Sequence, residues 1–153
     1  MNTLMPFTIA PNVATMKGAM QLALDDARLQ PPDIGYINAH GTGTIQGDMA
    51  ESHATWQAFG DQVPISSLKS DMGHTLGARG ALEAWLSIEM MREGWFAPTI
   101  NLDLVDPQCA ALDYIVKEGR VLQCEHVMSN NFAFGGINTS LIFKRWGGAG
   151  ARS

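Results

Sequence analysis

The chain has 153 residues, 46% of them hydrophobic and 16% charged, with a formal net charge of −5 and a pI near 5.2. That is enough apolar material for the core of one folded domain, and the acidic balance excludes bulk attraction to nucleic acid or to an anionic membrane surface. Residues 1–10 carry no basic segment, and no stretch approaches the roughly 18 apolar residues of a membrane span, so a cytoplasmic protein without signal peptide, membrane or nucleic-acid partner is expected.

In chain order, residues 1–14 form a lead-in, whose one strand candidate, 4–9, is broken by Pro6. Met16, Ala19, Met20, Ala23, Leu24 and Ala27 recur at helical spacing and predict an amphipathic helix over 15–29, stopped by Pro31 and Pro32. Residues 34–39 read as a buried strand that delivers His40 into the loop 41–47. Asp48 with Glu51 three residues on has capping-box spacing, predicting a helix from Asp48 to about Phe59. A strand over 64–67 leads into a polar loop over 69–73. Then comes a helix over 75–92, whose apolar residues, including Ala81, Trp85, Ile88 and Met91, surround it and predict burial on most sides. Pro98 and Pro107 punctuate an irregular connection, 112–116 is a short extended piece, and 125–130 with 137–144 predict a hairpin. Residues 147–153 read as a flexible tail. The alternation predicts one layered α/β domain over 15–146, with a mixed, mostly parallel sheet and one antiparallel edge.

Three motifs carry chemistry: His40-Gly41-Thr42-Gly43-Thr44, Ser67-Leu68-Lys69 leading to Gly73-His74, and Asn130-Asn131-Phe132-Ala133-Phe134-Gly135-Gly136. Each histidine leaves a strand end and enters a glycine-flanked turn, where a side chain can face a cleft and a ligand can approach the backbone. A neutral imidazole presents one N–H donor while a neighbour holds its other nitrogen, which suits stabilisation of a developing oxyanion. Thr42 and Thr44 alternate along an extended loop and can turn both hydroxyls to one side, and the loop lacks the GxxxxGK[ST] pattern of phosphate binding. His40, His53 and His74 do not have the spacing of a zinc site, and His53 shares a helical stripe with Met49 and Trp56. Cys109 and Cys124 form no CxxC pair and open no helix, which predicts reduced thiols that are poor nucleophiles.

In this order the motifs resemble the carboxyl-terminal half of a β-ketoacyl-[acyl carrier protein] synthase, a decarboxylating condensing enzyme of the synthase I/II type with a thiolase-like fold. The resemblance runs over 16–143. It implies decarboxylative condensation of malonyl and acyl thioesters in fatty acid or polyketide synthesis, with acyl carrier protein as partner and a dimeric enzyme. No metal or organic cofactor is implied beyond the phosphopantetheine that the carrier protein brings. In the family the reactive cysteine lies in the amino-terminal half, so a Cys-bearing amino-terminal half or partner chain is expected, and this chain alone is expected to be inactive. The thiolase-like half normally opens with a central strand before the first helix, and that strand is apparently missing here.

The resemblance makes His40 and His74 the catalytic pair and has Lys69 pair with Glu51 to hold His74, although a capping box would occupy Glu51. Glu83 matches the family's buried acid after the second histidine, yet Arg79 four residues earlier offers it an ordinary helix ion pair. Asp48 joins Glu51 and Glu83 as a supporting residue. Thr42 and Thr44 match contacts to the phosphopantetheine arm. Phe132, Ala133 and Phe134 match the gate, where the Phe134 N–H completes an oxyanion hole. Asn131 stands where the family usually has Ser, Ala133 where it has Gly, and Arg79 where it has a small residue. A non-catalytic partner subunit of a two-chain condensing enzyme, or a truncated product without independent function, are the alternative readings.

Overall fold

The computed structural model describes residues 10–147. The candidate strand over 4–9, with most of the expected lead-in, and the tail from residue 148 onward lie outside the described residues. Helix α1 (Val13–Ala27) starts two residues before the periodicity predicts, because the Asn12 side chain accepts the Thr15 N–H at 3.1 Å and so caps it. It ends at Arg28, which adopts a left-handed φ of 57° ahead of the two prolines. Met16, Met20 and Leu24 form its buried stripe.

Five strands form the main sheet: β1 (Ile34–Asn38), β2 (Pro64–Ser66), β4 (Asp113–Tyr114), β6 (His126–Phe132) and β7 (Asn138–Lys144), in the order β4-β2-β1-β6-β7. All pairings are parallel except β6 with β7, the antiparallel edge that the sequence predicts. Strand β1 is buried along both faces, as its continuous apolar run requires. Its alternation divides the core: Ile37 packs with Met20, Leu24 and Met128 under α1 and α2 (Ile45–Phe59), while Tyr36 packs with Met90, Phe96 and Val127 on the opposite face. Burying Met20 or Leu24 contributes about 2 kcal/mol of apolar transfer each.

Four expectations change. Helix α2 begins at Ile45 with Thr44 at its N-cap, not at Asp48, whose N–H already bonds the Thr44 carbonyl at 2.9 Å. The predicted polar loop contains a one-turn helix, α3 (Lys69–Met72). The predicted helix over 75–92 is a 3-10 turn (Leu76–Ala78) running into α4 (Arg79–Glu93). Trp85 on α4 is 58% exposed, and the helix's buried positions are Arg79, Glu83, Ser87, Met90 and Met91, so it is covered on one side only among the described residues. A second two-stranded sheet pairs β3 (Trp95–Phe96) with β5 (Arg120–Val121) antiparallel; two residues are too few to show a period in the sequence.

Candidate active site

The three motifs leave the carboxyl ends of three neighbouring strands. His40 follows β1, Lys69 and His74 follow β2, and Ala133 follows β6, so they meet at one edge of the sheet, the edge where parallel α/β sheets place ligands. The rings of His40 and His74 stand perpendicular, with centroids 5.7 Å apart, and Phe132 packs edge-on against His40 at 6.1 Å.

His74 is exposed at the turn after Gly73, and its Nδ1 accepts the Leu76 N–H at 3.1 Å. That bond leaves Nδ1 without a proton and puts the neutral ring's only N–H on Nε2, free to donate. The bond depends on Leu76 holding a φ of 50°, unusual for a residue with a branched side chain. His40 is half-buried, and its Nδ1 is buried with no hydrogen-bond partner among the described residues. Burial, then the Lys69 charge, then His74 push its pKa down to about 4, so the ring is neutral at physiological pH.

Glu51 grips the first turn. Its two carboxyl oxygens accept the N–H groups of His40 and Gly41, each at 2.8 Å. This displaces both expectations for Glu51: it neither pairs with Lys69 nor closes a capping box, because its helix starts earlier and carries it under the loop. Full burial raises the Glu51 carboxyl to about 7, against the opposing effect of those N–H donors. Gly41 has a φ of 35°, and a Cβ there would lie 2.7 Å from the Ser67 Cβ. The Ser67 hydroxyl donates to the Gly41 carbonyl at 2.8 Å, tying the first motif to the second. Asp48 accepts the Gly43 N–H at 3.2 Å, and burial raises its pKa.

The Thr42 and Thr44 hydroxyls lie 3.1 Å apart, on one side of the loop as alternation predicts. A Cβ on Gly47 would come within 2.4 Å of the Thr44 Oγ1, so that glycine makes room for the hydroxyl. Behind the loop is a cavity of about 450 Å³ lined by Thr42, Thr44, Asp48, Glu51, Lys69 and Cys109 among others; neither histidine lines it.

Lys69 pairs with Glu83, at 2.7 Å, and Arg79 bonds the same Glu83 oxygen at 2.9 Å, so the two partners considered for Glu83 share it. All three side chains are at most 5% exposed. Burial pushes the Lys69 pKa down, opposed by Glu83. Asn131 donates weakly to the other Glu83 oxygen at 3.4 Å. Beneath the site, Asn38 donates to Ser129 at 3.1 Å and accepts the Leu68 N–H at 3.4 Å, cross-linking the three strand ends. Sequence reasoning passed over Asn38; an Asn closing an apolar strand run was its only visible mark.

Ala133 is extended, at φ −90° and ψ 161°, a conformation open to any residue. The positive φ values of this loop fall on Gly135 and Gly136 instead, and the Phe134 backbone lies in its 3-10 turn. His53 lies apart from the pair, with Nε2 3.0 Å from the Gln108 carbonyl. Both cysteines are free, and burial raises both thiols. No helix among the described residues is long and apolar enough to cross a membrane.

Residues 5–103 match the family described as beta-ketoacyl synthase, C-terminal domain. The chain is 43% identical over 131 residues to 3-oxoacyl-[acyl-carrier-protein] synthase 2 of Staphylococcus aureus (strain COL), covering 84% of this chain and 31% of that protein. A crystal structure of a beta-ketoacyl synthase from Burkholderia phymatum STM815 superposes with a TM-score of 0.89 at 64% identity, covering 92% of this chain and 34% of that one. A type II PKS acyl-carrier protein in complex with its ketosynthase gives 0.85 at 31% identity, over 92% and 36% of the chains. The chain thus spans about a third of the length of the relatives it matches. With a thiolase-like fold and its three motifs gathered at one sheet edge, it belongs to the β-ketoacyl synthase family and corresponds to that family's carboxyl-terminal domain.

Proposed function

We propose that this chain supplies the two-histidine anion site of a 3-oxoacyl-[acyl carrier protein] synthase working in fatty acid or polyketide synthesis. The perpendicular His40–His74 pair, with the His74 tautomer fixed by the Leu76 N–H, carries the reading. In the reaction an acyl group rides on a cysteine sulfur contributed by a Cys-bearing amino-terminal region or partner chain. Malonyl carrier protein lays its phosphopantetheine arm along Thr42 and Thr44. The bond between the malonyl α-carbon and its carboxylate breaks, carbon dioxide leaves, and the electron pair is delocalised onto the thioester oxygen as an enolate.

N–H donors from His40 and His74 favour that charge as it develops. The enolate carbon attacks the acyl thioester carbon and pushes the carbonyl pair onto oxygen as a second oxyanion; its collapse breaks the C–S bond to cysteine, giving the 3-oxoacyl product and returning the thiolate. The Phe134 N–H and the N–H of the reactive cysteine hold the second oxyanion. Lys69 and Glu83 hold the second motif in place, and Glu51 and Asp48 the first, while Phe132 and Ala133 border the acyl entrance. This chemistry calls on no metal or organic cofactor of the protein's own. A non-catalytic partner subunit has little physical need for His40, Lys69 and His74 together.

The 153 residues are not expected to complete this cycle alone, since neither Cys109 nor Cys124 opens a helix and burial raises both thiols, which disfavours a thiolate. The test combines the chain with a separately produced Cys-bearing amino-terminal region and follows carbon dioxide release from malonyl carrier protein. His40→Ala and His74→Ala are each expected to lower the rate by about 10²–10³. An isolated chain that elongates at a normal rate, or a His74→Ala assembly that keeps its rate, would sink the reading.

A further inference from the structure

Arg79 breaks three local rules at once. Its side chain is fully buried, its Nη1 and Nη2 have no hydrogen-bond partner among the described residues, and it is the first residue of α4, where the helix dipole disfavours a cation. A hydrophobic side chain would avoid all three costs. Concentrated breaches of this kind are expected where function compensates for them. Among the described residues, the hydrogen bond Arg79 makes with its side chain is the Nε bond to the Glu83 oxygen that also takes Lys69.

We infer that Arg79 is a positioning residue of the site: it draws on the Glu83 oxygen that also holds Lys69 and adds a second cation to that buried cluster. Two cations share one carboxylate oxygen, so Glu83 alone does not neutralise both. Glu51 and Asp48 also attract Lys69 from the first motif, while their hydrogen bonds go to the N–H groups of that loop. Tyr36, which senses Glu83, is fully buried with its pKa raised and stays neutral. Asn131 brings only an amide, and His40 is uncharged. Asp71 and His74 lie at the exposed surface. The Lys69 charge acts on His40, so leaving more of it unpaired by Glu83 favours an anion forming beside that ring, as the proposed enolate does. In this respect the inference rests on the function proposed above. The claim that Arg79 competes with Lys69 for Glu83 does not.

The two parts are therefore tested separately. In the 153-residue chain, the Lys69 ammonium is titrated by NMR of lysine labelled at the ε-carbon, in the wild type and in Arg79→Met. Arg79 opposes protonation of Lys69, so its removal is expected to shift the Lys69 midpoint upward. Arg79→Lys restores the second cation and is expected to return the midpoint toward the wild-type position. If Arg79→Met does not fold, Arg79→Gln, which keeps an N–H donor for Glu83, carries the same expectation, and Arg79→Lys must still fold and titrate as the wild type does. A Lys69 midpoint that is identical in the neutral variants, or that moves in Arg79→Lys as far as in Arg79→Met, overturns the assignment. In the enzyme assembled with its Cys-bearing region, Arg79→Met is expected to lower kcat for decarboxylation about tenfold with little change in KM. A wild-type assembly that does no chemistry overturns the proposed function while leaving the Lys69 titration to decide the role of Arg79.

Discussion

Replacing Glu51 with glutamine probes how the His40 turn is held. The Glu51 carboxyl, 4% exposed, accepts two backbone N–H groups at 2.8 Å, and burial raises its pKa from 4.5 to about 7. A carboxyl raised in this way binds its proton more tightly in the folded chain than in the unfolded one. Its contribution to stability is fully present below about pH 4.5 and is lost as pH rises to about 7, an effect of about 3 kcal/mol. Glutamine does not ionise and escapes that loss. Like the protonated acid, it offers one carbonyl oxygen to two N–H donors, so both forms leave one donor poorly paired, at a cost of about 1–3 kcal/mol. Glu51→Gln is thus expected to match the wild type at low pH and to gain on it as pH rises. Urea unfolding followed by circular dichroism at pH 5 and pH 8 measures the change, and about 2.5 kcal/mol of the gain falls in that interval. The His40 ring, held at about 4, titrates in both proteins, and its effect cancels in the difference. A stability difference that is the same at both pH values refutes the argument. One that moves the other way means that the two N–H donors outweigh burial and keep Glu51 ionised.

Two further perturbations address the turns that aim the histidines. Gly41→Ala forces a Cβ to within 2.7 Å of the Ser67 Cβ at a φ of 35°; the left-handed backbone and the overlap together are expected to cost about 2–4 kcal/mol by urea unfolding, and a loss below about 1 kcal/mol means that the loop relaxes freely. Leu76→Gly relieves a φ of 50° at a residue 76% exposed, so it is expected to stabilise the chain by about 0.5–1 kcal/mol while nitrogen-15 NMR still finds the His74 proton on Nε2; a destabilised variant shows that the Leu76 side chain is needed.

The parallel sheet and its antiparallel edge were legible because short apolar runs alternate with helical periodicity and close on a hairpin, whereas the grouping of the three motifs was implied by the family resemblance and not by any pattern in the residues. The ion pairing was not legible either. Asp48, Glu51 and Glu83 all stand where a lysine after β2 could reach them, and only the packed distances select Glu83. The Asp48–Glu51 spacing imitates a capping box, yet the helix starts at Ile45, so the same two carboxyls look back at the loop instead of at their own helix end. Trp85 and its apolar neighbours on α4 read as core, but burial falls on the face carrying Arg79, Glu83 and Ser87, a stripe whose polar composition hides it from any hydrophobic pattern.

The strands that carry His40 and Phe132 lie side by side, yet their cross-strand partners Asn38 and Ser129 are 91 positions apart along the chain. Bringing them into register closes a long loop before any contact rewards it, so the pairing belongs among the slow, non-local events of folding. The contact between the His40 and Phe132 rings is therefore a late marker: a partly folded chain with α1 and β1 in place has its helical signal and no site. Recovery of that ring contact, rather than recovery of helix, is the clock by which the assembly of this edge is to be timed.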